Sequence, residues 1–252
     1  MRTVTAPVRT AVVTGAASGI GAATARRLAA LGATVVCCDV ADGAGHAVAE
    51  EVGGVYAHLD VSEPTGWADL VEQLEGEPLP LEQVVLNAGR LTTPDPRPFL
   101  DVPLERLERV RGVNLDGVLL GVRALAPRLA DHGGGSVVAT ASLAGLGPYA
   151  DDPMYAATKH AIVGFVRSAA PQLAERGIRL HAICPGGVDT GLLGAPRKAA
   201  LASAGRPMLD PDEVAAAVLA LLASPDAGLV HTIVSGRGAE RYEFRGVPGP
   251  RP

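Results

Sequence analysis

Thr10-Ala11-Val12-Val13-Thr14-Gly15-Ala16-Ala17-Ser18-Gly19-Ile20-Gly21 is the stretch that decides the fold. Thr10–Thr14 is an unbroken run of strand formers. An apolar pattern with helical spacing follows over 20–31, with only a glycine-rich turn between the two. A strand that feeds a helix through such a turn opens a βα unit. Glycines let the backbone bend sharply and come close to a bound phosphate. The first turn of the helix then offers free N–H groups and the positive end of its dipole. Gly15, Ser18, Gly19, Ile20 and Gly21 are therefore candidate contacts for a dinucleotide. A glycine-rich turn with no ligand is the alternative reading.

The next strand, Thr34–Asp39, ends in an acid 24 residues after Gly15. A carboxylate there can accept hydrogen bonds from ribose hydroxyls and repels a 2′-phosphate. Ala17, Ser18 and Val40 offer no cation to such a phosphate, so the pattern favours NAD over NADP. Asp39 could otherwise be a turn or N-cap residue. Asp60-Val61 follows a third short strand and could border an adenine or begin a turn. Asn87-Ala88-Gly89 follows a fourth and could wall the same site or be ordinary turn chemistry.

Strand and helix patterns alternate along the rest of the chain. Strands are expected at 54–58, 83–86, 136–141, 179–184 and 229–234. Helices are expected at 44–52, 67–74, 103–130, 153–175 and 211–223. Strands apolar on both faces suit a sheet covered on both sides, and the alternation implies βαβ units with right-handed crossovers. The expected fold is α/β: a single doubly wound parallel sheet of about seven strands, with helices on both faces. It forms one domain over 1–252, with its core over 10–234 and a tail over 235–252. Segments 90–103 and 190–210 are expected to be loops, the second a lid or binding loop.

The 252 residues are 48% hydrophobic, enough for a large core, and carry a net charge of −5. No basic stripe marks a nucleic-acid surface. The apolar runs are too short to span a bilayer, and residues 1–9 lack the apolar core of a signal peptide. Cys37, Cys38 and Cys184 sit in apolar runs, which reads as reduced thiols in a cytoplasmic protein. The six histidines show no metal-ligand spacing, so no metal is expected.

Tyr155 and Lys159 lie four apart on an expected helix, so they share a face. Ser142 follows the fifth strand, 13 residues before Tyr155. In a doubly wound sheet the C-terminal strand ends line the ligand crevice, which puts Ser142 and the glycine turn on the same side. Interconverting an alcohol and a ketone by hydride needs an acid or base at the oxygen. A phenol with a pKa near 10 is a poor base at neutral pH, and lowering it by about three units takes about 4 kcal/mol. An ammonium about 4 Å away provides about that much at an effective dielectric of 20. Lys159 would then acidify Tyr155, with the positive charge of an oxidised nicotinamide adding to it and desolvation opposing it, while Ser142 orients the substrate oxygen. A plain surface pair is the competing reading. Only two lysines, Lys159 and Lys198, accompany 20 arginines, so the survival of one at this position favours a function.

Taken together, these motifs resemble the short-chain dehydrogenase/reductase family, specifically its classical branch. The matching elements are TGAASGIG at 14–21, Asp39, Asp60-Val61, NAG at 87–89, Asn114, Ser142, YAATK at 155–159 and PGGVDT at 185–190. The resemblance implies an NAD-dependent oxidoreductase acting on a secondary alcohol or ketone. Tyr155 would be the acid/base. Lys159 would also hold the nicotinamide ribose, and Asn114 would hold a water in a proton relay. Pro185, Gly186, Val188 and Thr190 would border the nicotinamide. A homotetramer is implied as well. The alternative on the same fold is a non-catalytic NAD-binding sensor or scaffold. His181, where many relatives have asparagine, reads as a strand or interface residue. Leu146, Tyr149, Met154, Leu192 and Leu193 suggest a pocket for an apolar, bulky small molecule.

Overall fold

The computed structural model describes residues 10–75 and 80–246. Seven strands run parallel: β1 (Thr10–Thr14), β2 (Thr34–Asp39), β3 (Val55–His58), β4 (Leu81–Leu86), β5 (Gly135–Thr140), β6 (Ile178–Pro185) and β7 (Val230–Val234). An eighth, β8 (Gly238–Arg241), pairs antiparallel with β7, and the order across the sheet is β3-β2-β1-β4-β5-β6-β7-β8. The chain thus has the expected α/β architecture, with one strand more than expected.

Alternate residues of each strand point to opposite faces, and both sets are apolar. Val12, Val36, Val84, Val137 and Leu180 pack against α3 (Pro64–Glu75), α5 (Gly117–Asp131) and α6 (Pro153–Ala174) through Trp67, Leu125 and Ile162. Val13, Val35, Val85, Val138 and Ile183 pack against α1 (Gly19–Ala30), α2 (Asp42–Glu51) and α8 (Pro211–Leu222) through Leu28, Val48 and Val218. Continuous apolar strands are the direct consequence of this two-sided burial.

Three segments differ from the expectation. The helix expected over 103–130 is divided into α4 (Leu104–Arg111) and α5 by one wide π-turn, Gly112–Asp116. A Cβ at Gly117 would stand 2.8 Å from Val61 Cγ2, so the helix passes the β3 end too closely for a side chain there. The extra residue in the turn brings Asn114 fully into the interior, and such turns recur at functional sites. The segment 190–210 is not all loop, since α7 (Ala195–Ser203) forms within it. Gly194 takes its N-cap position and proline stands in its first turn. The tail also turns back. Beyond β8, the Tyr242 N–H donates to the Val230 carbonyl at 2.7 Å, and the Arg167 guanidinium stacks 3.8 Å over the Phe244 ring. Residues 1–9 and 247–252 lie outside the described residues. All three cysteines are free and buried. No helix among the described residues is long and apolar enough to cross a membrane, and none of their His, Cys, Asp and Glu side chains group as a metal site.

Candidate active site

The strand order reverses between β1 and β4, where neighbouring crossovers leave on opposite faces. A cavity of about 1060 Å³ opens at the C-terminal strand ends there. This is the crevice in which doubly wound sheets hold ligands, and its size is at the top of the ~300–1,000 Å³ range of small-molecule sites.

The glycine turn forms its floor. Gly15 has a φ of +67°, and a Cβ on it would meet Ala88 Cα at 2.9 Å. A Cβ on Gly21 would fall 2.0 Å from the Gly15 carbonyl oxygen, so α1 can start against the turn only because no side chain intervenes. Gly15, Ser18, Gly19 and Ile20 line the cavity, whereas Gly21 packs behind it. Thr14 ties the floor to the neighbouring strand. Its hydroxyl accepts from the N–H groups of Asn87 (2.9 Å) and Ala88 (3.1 Å). The Asn87 side chain in turn donates to the Thr14 carbonyl and accepts from the Thr140 hydroxyl.

Asp39, Asp60, Val61, Asn87, Ala88 and Gly89 all reach the cavity wall. The Asp39 carboxylate accepts from the backbone N–H of Ala17 (2.9 Å) and of Ala41 (3.0 Å). It is both a turn residue and a cavity-facing charge. Asp60 accepts from the Ser62 N–H and hydroxyl, closing the turn after β3. Pro185, Gly186, Val188 and Thr190 form the wall beyond β6.

Ser142, Tyr155 and Lys159 meet in the same cavity. The Ser142 Oγ caps a short turn by accepting from the Ala144 N–H at 3.1 Å. Asp152 caps α6 by accepting from the Tyr155 N–H at 3.1 Å, and Pro153 takes the first helical position. Tyr155 and Lys159 are then one helical turn apart, both buried, and the Lys159 ammonium donates to the Thr140 carbonyl at 2.7 Å.

The burial of the pair acts against the expected acidification of Tyr155. Burial pushes the phenol up to about 12, while the facing Ser142 hydroxyl acts in the opposite direction. Burial also brings Lys159 down to about 8. Burial thus works against the charged form of both groups. The Lys159 nitrogen is also 5.6 Å from the Tyr155 ring centre, spent on a carbonyl. Desolvation of both groups opposes the Coulomb attraction between them.

Asn114 does not line the cavity. Its Oδ1 accepts from the Arg90 N–H (2.8 Å), and its Nδ2 donates to the Arg90 carbonyl (2.9 Å) and the Thr158 hydroxyl (3.2 Å). It locks the loop after β4 to α6 just behind Gly89. Of the proposed substrate residues, Tyr149, Leu192 and Leu193 line the cavity, whereas Leu146 packs against the core and Met154 is not on the wall. Leu143, Leu201 and Arg206 line it as well.

Sequence reasoning missed Asp152, Thr92 and Arg197. The Thr92 N–H and hydroxyl donate to the Asp152 carboxylate at 2.8 and 2.5 Å, which joins the loop after β4 to the start of α6. Asp152-Pro153 is a legible N-cap signal just ahead of Tyr155. Nothing local announces that Arg197 is buried.

The short chain dehydrogenase family profile matches residues 9–200. The 3-alpha-(or 20-beta)-hydroxysteroid dehydrogenase of Mycobacterium tuberculosis is 38% identical over 184 residues, 72% of this chain and 70% of that protein. The cis-4-hydroxycyclohexanecarboxylate dehydrogenase of Sinomonas cyclohexanicum is 38% identical over 231 residues, 88% of this chain and 92% of that one. The crystal structure of a 3-ketoacyl-(acyl-carrier-protein) reductase from Brucella melitensis, complexed with NADH, superposes with a TM-score of 0.82 at 30% identity, covering 92% of this chain and 98% of that one. With this match over most of its length and the shared sheet, the chain belongs to the short-chain dehydrogenase family.

Proposed function

We propose that this protein is an NAD-dependent dehydrogenase that interconverts a secondary alcohol and a ketone, with Tyr155 as the acid/base. The observation that carries this is the meeting of Ser142, Tyr155 and Lys159 in one cavity with the glycine turn. The cradle fits a dinucleotide, since Gly15, Ser18, Gly19 and Ile20 line the cavity at the start of α1, where a helix N-terminus suits a phosphate. When bound, the nicotinamide supplies the hydride acceptor for the oxidation and the donor for the reduction. In the reduction the Tyr155 O–H would give its proton to the substrate oxygen. In the oxidation Tyr155 would first have to lose that proton and then, as the phenolate, take the substrate O–H proton while the carbinol C–H leaves as hydride. Ser142 would donate to the substrate oxygen, and its hydroxyl acts to lower the Tyr155 proton affinity. Lys159, whose ammonium donates to the Thr140 carbonyl, would hold the nicotinamide ribose. Asn114 would shape the relay by fixing the Arg90 backbone and Thr158.

Asp39 supports NAD over NADP, because its charge lies on the cavity wall and both its oxygens are anchored by backbone N–H groups. Leu143, Leu192, Leu193 and Leu201 support an alicyclic or steroid-like alcohol. We read residues 1–252 as one nucleotide-binding domain. Three free, buried thiols fit a cytoplasmic location. Exposed Phe99, Leu100 and Leu104 fit burial in a homotetramer. The test is a panel of secondary alcohols, with 4-hydroxycyclohexanecarboxylate, 4-methylcyclohexanol and a 3-hydroxysteroid among them, followed at 340 nm with NAD and NADP in parallel. Turnover with NAD supports the reading, and binding of NAD with no turnover of any alcohol or ketone overturns it.

A further inference from the structure

Arg197 on α7 is 4% exposed. Its guanidinium donates to the Tyr149 hydroxyl at 2.8 Å and to the carbonyls of Pro94 (3.3 Å), Thr93 (3.4 Å) and Asp151 (3.5 Å). Among the described residues no carboxylate pairs with it. A permanent charge buried without a counter-ion is unfavourable unless something else uses it.

The one side chain it holds is Tyr149, and Tyr149 is on the cavity wall. A guanidinium only donates, so the Tyr149 oxygen is the acceptor and the phenol keeps its own proton for another partner. A donor whose oxygen already accepts from a cation is strengthened. The Tyr149 ring meets the Tyr155 ring edge-on, with centroids 6.2 Å apart. A substrate atom facing Tyr149 is thus several ångströms from one facing Tyr155.

Charge along the cavity wall agrees. Among the described residues, its acids are Asp39, Asp60, Glu63, Glu108 and Asp116, all on the side of β2, the β3 end and α4, where the guanidiniums of Arg90, Arg109 and Arg111 offset only part of the charge. The end bordered by Tyr149 and α7 has no acid on its wall and has the Arg206 guanidinium.

Resting on the hydride-transfer reading above, we infer that the Tyr149–Arg197 pair recognises a carboxylate on the substrate, so that the substrate is an alicyclic hydroxy acid or its oxo acid. Tyr149 donates to the carboxylate, and Arg197 acts through Tyr149 as a positioning residue.

The test compares wild type, Tyr149→Phe and Arg197→Gln on 4-hydroxycyclohexanecarboxylate and 4-methylcyclohexanol with NAD. Calorimetry of cyclohexanecarboxylate binding to the same proteins runs beside it. The expected result is that Tyr149→Phe raises KM for the acid about ten-fold, as loss of one charge-assisted hydrogen bond implies, with kcat within about two-fold. It moves the KM for 4-methylcyclohexanol much less than that for the acid and weakens cyclohexanecarboxylate binding by the same factor as the acid, and Arg197→Gln follows in direction. Equal effects on acid and neutral alcohol, or cyclohexanecarboxylate binding that ignores Tyr149, would overturn the inference while alcohol turnover keeps the hydride-transfer reading intact. Tyr149-dependent carboxylate binding without turnover of any alcohol would do the reverse.

Discussion

Lys159 reaches from α6 to the last carbonyl of β5, that of Thr140, and holds it at 2.7 Å with a buried ammonium. This bond fixes the position of the charge relative to the strand ends and costs it most of its hydration. The bond to Thr140 fixes where the ammonium stands, whereas burial sets how far Lys159 and Tyr155 each resist being charged.

Replacement of Lys159 by Met should therefore abolish turnover and yet stabilise the fold at neutral pH. The folded pKa, about 8, lies below the ordinary lysine value of 10.5, so the folded state binds fewer protons between these limits. Wild-type stability then rises with pH from about 8 to 10.5, and at pH 7 the buried charge is a net cost of up to about 3 kcal/mol. Loss of the bond to Thr140 returns about 1 kcal/mol of that. Thermal melts at pH 7 should show a gain of about 1–2 kcal/mol, and a loss would contradict the account.

His181 should make the fold acid-sensitive. It is fully buried on β6, both ring nitrogens lack hydrogen-bond partners, and burial, with Arg179 and His231 nearby, brings it down to about 4, against the pull of Asp226. The unfolded chain takes up the proton near 6.5 and the folded chain only near 4. The stability present above 6.5 is thus lost as pH falls between these values, by at most about 3 kcal/mol. Urea midpoints at pH 7 and pH 4.5 should fall steeply for wild type and less for His181→Leu. The partly exposed His231, shifted in the same sense, is common to both proteins.

Asp39→Asn should shift the cofactor preference toward NADP. The amide removes the charge that opposes a 2′-phosphate but has only one acceptor oxygen for the N–H groups of Ala17 and Ala41. The ratio of kcat/KM for NADP to that for NAD should rise about ten-fold or more, with a stability loss of about 1 kcal/mol. An unchanged ratio would show that Asp39 only holds the turn.

The strands, the glycine turn and the Tyr155–Lys159 face were legible because each is written in neighbouring residues. Apolar runs fix strands covered on both faces, glycines mark the turn, and a spacing of four places two side chains on one helical face. The π-turn that buries Asn114 was not legible, because it follows from the approach of Gly117 to Val61, 56 positions earlier in the chain. Arg197 was hidden for the same reason, since its partners come from the loops after β4 and β5. Strand β8 was missed because its side chains are exposed and carry no apolar alternation. How strongly desolvation opposes a Tyr155 phenolate was not legible, because a sequence gives the spacing of two groups and not how deeply each is buried.

The central claim is that the Tyr155 oxygen exchanges the proton when hydride moves, and Tyr155→Phe tests it most directly. NADH fluorescence gives the dinucleotide affinity, and stopped-flow absorbance at 340 nm gives the hydride-transfer rate with a secondary alcohol that the wild type oxidises. The account predicts NADH affinity within a few-fold of wild type and a transfer rate lower by about 10²–10⁴-fold. A transfer rate within a factor of two of wild type, at unchanged affinity, would contradict it.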